Sequence, residues 1–266
     1  MPDVYATITD ASPELVRRIA EVLELRAADP QQRVMRETYL ADIAFPAGAR
    51  VLDTGCGTGA VTRVLATWPG VAEVVGLDPS LTFLDHARQL NPPPNVRFVA
   101  GDCRSLPDAD GSFDVVVMHT TLCHVPGPET ALREAARVLQ PRGWLVVFDG
   151  DYATTTVAVT PADPLQACAD AWVTSSVHDA RLIRRLPALV DAAGFTRVRM
   201  RSYGYLETGD ARYIPTIVDR GADALAAAGH IGAETAGALK AEARRRVSAG
   251  TFFGYIGYAS LVAHRG

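Results

Sequence analysis

The sequence predicts an α/β fold: a doubly wound, largely parallel sheet with helical additions before it and within its C-terminal part. Two observations carry this. From residue 49 to residue 149, short apolar runs alternate with helical stretches. The runs are continuous in Val and Leu rather than alternating, as suits parallel strands covered on both faces. The 266 residues, 48% hydrophobic, suffice for one large domain or two small ones.

The elements follow in order. Residues 12–45 read as two helices: Ser12 caps the first, Pro13 suits its first turn, and Leu15, Ile19, Val22 and Leu23 share a face. The second begins near Gln31 and carries Met35, Tyr39, Leu40 and Ile43. Buried strands are expected at 50–53, 73–78, 96–102, 113–119 and 143–149, with helices at about 59–68, 80–90 and 128–139 between them. Residues 151–164 read as a connecting segment, followed by helices at 164–177 and 180–193, the second stopped by Gly194. "FTRVRMRSYGYLET" alternates as a strand. Two helices follow at about 210–228 and 232–249, and "TFFGYIGYASLVAHR" closes the chain as a strand. The late strands are expected to pair antiparallel at the sheet edge. The division is a helical lid over 1–45 and a core over 46–266, with helical insertions at about 160–193 and 210–249.

The net charge of -4 gives no basic face for nucleic acid or an acidic membrane. The one basic cluster, Arg244 to Arg246, suits the last turn of a helix. Cys56, Cys103, Cys123 and Cys168 have neither metal-ligand spacing nor the density of a disulfide framework, so no metal is expected and a reducing compartment is. "MPDVYATITD" lacks the pattern of a signal peptide, and no run is long enough to span a bilayer. The expectation is a cytoplasmic monomer or homodimer acting on a small molecule, with no nucleic-acid or membrane partner.

"VLDTGCGTGA" (51–60) is the first strand-to-helix turn, where ligands of such sheets bind. Its glycines admit positive φ and close backbone approach. Gly55, Gly57 and Ala60 satisfy the loose dinucleotide pattern, with Asp78 about twenty residues on, so the glycines alone do not identify the ligand. Asp53 discriminates. A buried carboxylate beside the turn repels a pyrophosphate and favours a cation or ammonium donor. Asp78 ends the second strand and offers an acceptor for ribose hydroxyls; Asp102 ends the third and can accept from an adenine amine. S-adenosylmethionine, with its sulfonium, ammonium and ribose and no phosphate, fits this track. Each acid also has an ordinary use as a helix or loop cap.

Together, "VLDTGCGTGAVTRVLA", "VVGLDPS", "GDCRSLP" and "GSFDVVVMHTTLCHVPGPETALREAARVLQPRGWLVVFD" resemble the class I S-adenosylmethionine-dependent methyltransferases, in particular the UbiE-like, type 11 group acting on small molecules. The resemblance is strong over about 49–150 and weaker over 195–264. It implies a Rossmann-like seven-stranded sheet with the last strand antiparallel. It places Asp53, Gly55, Cys56, Gly57 and Gly59 around the methionine part of the cofactor. Asp78 and Pro79 fall at the ribose, Asp102 and Cys103 near the adenine, and His119 or Thr120 beside the methionine part. "QPRGW" departs from the family's Pro-Gly-Gly, with Arg142 in place of a turn glycine.

Methyl transfer from a sulfonium is an in-line displacement, so placing the nucleophile in a dry pocket supplies much of the catalysis. A base is needed only where the acceptor must lose a proton. Candidate catalytic groups are His119, His124, Asp151 and His178; His124 also suits a pocket-shaping role. Candidate acceptor contacts are Tyr5, Tyr39, Asp149, Tyr152, Trp172 and Tyr255, with Phe252 and Phe253 beside the last. Aromatics in that closing strand equally suit the core. The apolar lining points to an aromatic, polyketide-like or isoprenoid acceptor. Two alternatives stand: a cofactor-binding protein or enzyme of non-methylating chemistry, and, against Asp53 and Asp102, an NAD-dependent oxidoreductase.

Overall fold

The computed structural model describes residues 3–5 and 7–266. Strands β1 (Ala49–Thr54), β2 (Val71–Asp78), β3 (Val96–Ala100), β4 (Phe113–His119), β5 (Leu139–Thr156), β6 (Phe195–Thr208) and β7 (Phe253–Arg265) form one sheet in the order β3-β2-β1-β4-β5-β7-β6. β1 to β5 pair in parallel, and β7 runs antiparallel between β5 and β6. The order reverses at β1, whose Asp53 stands opposite Gly76 of β2 on one side and Val117 of β4 on the other. The carboxyl ends of β1 and β4 therefore open a crevice at the switch point of the sheet.

The Val and Leu runs become the central layer. Val115, Val116, Val117 and Met118 are all fully buried, with one side chain of each adjacent pair on either face. Helices α1 (Pro13–Ala28) and α2 (Pro30–Leu40) lie outside the sheet; α3 (Ala60–Leu65), α4 (Leu81–Gln89) and α5 (Pro128–Val138) are its crossovers. Ser12 Oγ caps α1 by accepting from Leu15 N, and the Asp29 carboxylate caps α2 through Gln31 N and Gln32 N. On α2, Met35, Tyr39 and Leu40 are buried, with Ile43 just beyond its end. On α1 the buried face is Val16, Ile19 and Ala20, packed with Ile8 on Phe83 of α4. It is rotated from the predicted stripe because Leu15, Val22 and Leu23 lie at its margins, where Leu23 turns toward the crevice.

α6 (Leu165–Ser176) and α7 (Leu182–Ala192) join β5 to β6, and α8 (Ile214–Ala227) and α9 (Ala233–Ser248) join β6 to β7. α6 and α8 touch at Gly221, where any Cβ would run into the backbone of Cys168. The arginine cluster of α9 is a paired surface: Arg244 meets Asp219, Arg245 meets Glu242, and Arg246 bridges Glu242 and Asp163.

One expected boundary is corrected. Residues 151–156 are not connecting segment but the end of β5, which pairs with β7 as far as Thr156 across an irregularity after Asp151. Thr154 Oγ1 accepts from Gly257 N at 2.8 Å and holds the bulged part in place. The run of β-branched threonines favours the extended state despite its polarity.

Candidate functional site

The loop after β1 is built on left-handed glycines: φ is +66° at Gly55 and +52° at Gly57. At Gly55 a Cβ would also collide with the Thr121 side chain, so this position excludes other residues twice over. Gly55 N and Cys56 N donate to Leu77 O at 2.7 and 3.0 Å, tying the loop to the end of β2. Gly57 N donates to Asp78 Oδ2 at 2.8 Å, and Ser80 N donates to Asp78 Oδ1 at 2.9 Å. Asp53 Oδ2 accepts from Thr62 Oγ1 at 2.6 Å.

The electrostatics follow from burial. Asp53 is 1% exposed. Burial pushes its carboxyl up to about 7 against the Thr62 hydrogen bond, and the neighbouring Asp78 adds to the rise. Asp78 is pushed up to about 6, also by burial, with its two backbone hydrogen bonds opposing. Neither acid forms an ion pair among the described residues, so both are primed for cationic or hydroxyl donors from a ligand. Asp102 differs: Arg104 grips it, Nη2 to Oδ2 at 2.6 Å, and holds it below the usual carboxylate range. Burial drives the thiol of Cys56 well above its ordinary value and that of Cys103 up to about 12, so both are neutral wall groups. No group of three or more metal-ligating side chains occurs among the described residues.

Beyond the loop the crevice widens into a cavity of ≈ 260 Å³ that reaches α1, α2 and the aromatic side chains of β5, α6 and the turn before α8. At the end of β4, His119 Nδ1 is hydrogen-bonded to Tyr39 Oη at 2.8 Å, and its ring stacks on Phe148 at 4.7 Å between centroids. Burial, with the charges of Arg26 and Arg36, holds His119 well below the usual histidine range, so it is neutral. Thr120 adopts φ +52°, and its Oγ1 accepts from Arg26 Nη2 at 2.9 Å. Tyr152 and Trp172 meet edge to face at 5.8 Å. Behind His124 the Asp3 carboxylate accepts from Tyr5 N at 2.8 Å, from His124 Nδ1 at 2.7 Å and from His178 N at 2.8 Å, and the Tyr5 ring lies 4.4 Å from that of His124.

The structure brings most of the predicted residues to this one cavity. Asp53, Gly55, Cys56, Gly57, Asp78 and Pro79 line it, as do Asp102 and Cys103. His119, Thr120 and His124 line it too, with Tyr5, Tyr152 and Trp172. The others need correction. Gly59 does not line the cavity; it caps α3 in the left-handed region, against the Phe98 ring. Tyr39 stands behind His119 rather than in the cavity wall. Asp149 is fully buried below the floor, accepting from Cys123 N at 3.0 Å and from Gly150 N at 2.9 Å. Asp151 is turned away to Arg184 Nε at 2.8 Å, and the His178 side chain is exposed outside the wall. Tyr255 lies across from Gly204 between β7 and β6, and neither it nor Phe252 nor Phe253 lines the cavity.

Sequence reasoning passed over Arg26, Gln32 and Arg36, which line the cavity from α1 and α2, and Tyr213, which precedes α8. A signal exists for two of them. Arg26 follows Ile19 and Leu23 at helical spacing, and Arg36 lies three residues before Tyr39, so each puts a charge on an apolar stripe.

A family model described as a methyltransferase domain matches residues 52–147. Demethylmenaquinone methyltransferase of Staphylococcus aureus (strain JH9) is 33% identical over 189 residues, spanning 65% of this chain and 78% of that protein. Among solved structures, a Bacillus halodurans C-125 protein assigned as a methyltransferase superposes with a TM-score of 0.61 at 21% identity, over 86% of this chain and 98% of its own. Haemonchus contortus phosphoethanolamine N-methyltransferase 2, solved with phosphomonomethylethanolamine and S-adenosylhomocysteine, gives 0.54 at 16% identity over 87% and 52%. At such identities the structural likenesses establish the fold.

Proposed function

The chain belongs to the class I S-adenosylmethionine-dependent methyltransferases, and from that premise we propose that it methylates an oxygen, nitrogen or carbon of a small molecule with an aromatic, polyketide-like or isoprenoid body. The observation that carries the reading is the pair Asp53 and Asp78: two buried acids, without ion-pair partners among the described residues, beside a left-handed glycine loop. S-adenosylmethionine supplies, when bound, an electrophilic methyl on a sulfonium.

In this reading Asp78 accepts from the ribose hydroxyls. Asp53, with Gly55, Cys56 and Gly57, faces the methionine part, and Pro79 borders the ribose. Cys103 and the Asp102–Arg104 pair border the adenine. His119, neutral and fixed by Tyr39, stands where the acceptor meets the methionine part and can take a proton from an acidic nucleophile. His124 shapes the entrance through Asp3. The aromatic groups Tyr5, Tyr152 and Trp172 surround the acceptor body, and water exclusion there strengthens every polar contact in the site. Residues 1–45 act as the lid, since α1 and α2 have no place in the sheet and close the cavity from outside.

The remaining assignments are part of the same proposal. Four buried free cysteines suit a reducing, cytoplasmic setting, and the negative net charge suits a small-molecule rather than a nucleic-acid substrate. No helix among the described residues is long and apolar enough to cross a membrane.

The test uses methyl-labelled S-adenosylmethionine with the full chain and a cell extract split into small molecules, nucleic acid and protein. The expected label enters an organic-soluble small molecule. Label confined to nucleic acid or protein refutes the acceptor class. Tight cofactor binding with no transfer to any fraction favours the non-methylating alternative.

A further inference from the structure

The carboxylates of the cavity, Asp53, Asp78 and Asp102, all stand at strand ends, and Asp102 is already paired with Arg104. Two further guanidinium groups line the cavity, Arg26 from α1 and Arg36 from α2, and neither has a carboxylate partner among the described residues. Arg36 is 5% exposed and its Nε has no hydrogen-bond partner. Arg26 makes one side-chain hydrogen bond, to Thr120, and lies 5.9 Å from the centre of the Tyr213 ring. On the same aromatic side the Trp172 indole, 3% exposed, has an unpartnered Nε1.

A buried guanidinium without a counter-charge is costly, and two that repel one another are worse. The cost is removed when a bound anion supplies the missing charge, and a guanidinium's forked donors suit a carboxylate or similar oxygen anion above other partners. A neutral isoprenoid or polyketide body gives neither arginine anything to do.

Resting on the methyltransferase reading above, we propose that the acceptor carries an anionic oxygen group, a carboxylate or an ionised phenol or enol, held by Arg36 and Arg26 with its apolar body against Tyr152 and Tyr213. The cofactor's own carboxylate is a second source of such an anion.

The experiment saturates the full chain with S-adenosylhomocysteine and measures, by calorimetry, binding of matched pairs: benzoate against benzamide, cinnamate against cinnamamide, naphthoate against naphthamide. The acid of at least one pair should bind about tenfold tighter than its amide or more, a difference of about 1.4 kcal/mol. Arg36→Gln should abolish the preference while leaving affinity for S-adenosylhomocysteine within about twofold. Equal binding within every pair, or no binding by any acid, overturns the proposal. So does a tenfold loss of S-adenosylhomocysteine affinity in Arg36→Gln, which assigns the arginine to the cofactor. Arg36→Met gives a second readout without acceptor: its ligand-free Tm should hold or rise, and a fall of about 5 °C makes Arg36 structural support and also overturns the proposal. Failure of the wild type to bind S-adenosylhomocysteine at all is a failure of the methyltransferase reading instead.

Discussion

Tyr39 Oη and His119 Nδ1 lie 2.8 Å apart and join the second N-terminal helix to the end of β4. Tyr39 is fully buried and His119 half-buried, and the bond fixes which way the imidazole presents its other nitrogen to the cavity. Tyr39→Phe leaves the ring volume but strands a buried nitrogen, at a cost of about 1–3 kcal/mol. Expected are a lower Tm and a reduced kcat, with S-adenosylhomocysteine affinity within about twofold. An unchanged kcat removes His119 orientation from the account.

The paired acids make cofactor binding pH-dependent. Asp53 and Asp78 are pushed up to about 7 and about 6, above their ordinary 3.8. The folded chain therefore binds protons that the unfolded chain releases, and their contribution to stability is complete below 3.8 and lost as pH rises through 6 and 7. His119, held low, acts in the opposite sense: its contribution falls away as pH drops below its ordinary 6.5. Asp53→Asn isolates the acid part and should flatten the loss of Tm between pH 5.5 and 8. A cofactor that needs both acids ionised should bind more tightly as pH rises over that range, by about tenfold per pH unit for each group still protonated. A pH-independent affinity contradicts the roles given to both acids.

Arg142 has φ +65°, in the left-handed region that favours glycine. Its side chain is exposed, so nothing in the packing offsets the strain. Arg142→Gly should stabilise the chain by about 1 kcal/mol, raising Tm by about 2–4 °C, with activity unchanged.

Asp3 ties the N-terminal segment to the rest of the chain by accepting from Tyr5 N, His124 Nδ1 and His178 N. Asp3→Ala leaves three half-buried donors without their partner. The lid reading expects a several-fold rise in acceptor KM with kcat and cofactor affinity little changed. An unchanged KM detaches the N-terminal segment from acceptor binding, as would full turnover by a chain lacking residues 1–30.

The sheet is legible in the sequence because burial on both faces writes itself as unbroken Val and Leu; the fourth strand, Phe113–His119, falls on its predicted bounds. The acids are legible because each ends a strand beside its turn, so local order in the chain is local order in the site. The failures are long-range. Arg26 and Arg36 enter the cavity only through the way α1 and α2 fold back over the sheet. Asp151 and His178 leave it because one finds Arg184 and the other faces solvent. Thr154 to Thr156 join β5 because β7 is there to pair with them, a partner about a hundred residues away that no local window contains.

The most direct test of the central claim is calorimetric titration with S-adenosylhomocysteine, with NAD(H) as control, on the wild type and Asp78→Ala. The first ligand should bind at micromolar concentration and the second not at all, with a loss of at least about tenfold in the variant. Preference for NAD(H), or S-adenosylhomocysteine binding indifferent to Asp78, would contradict it.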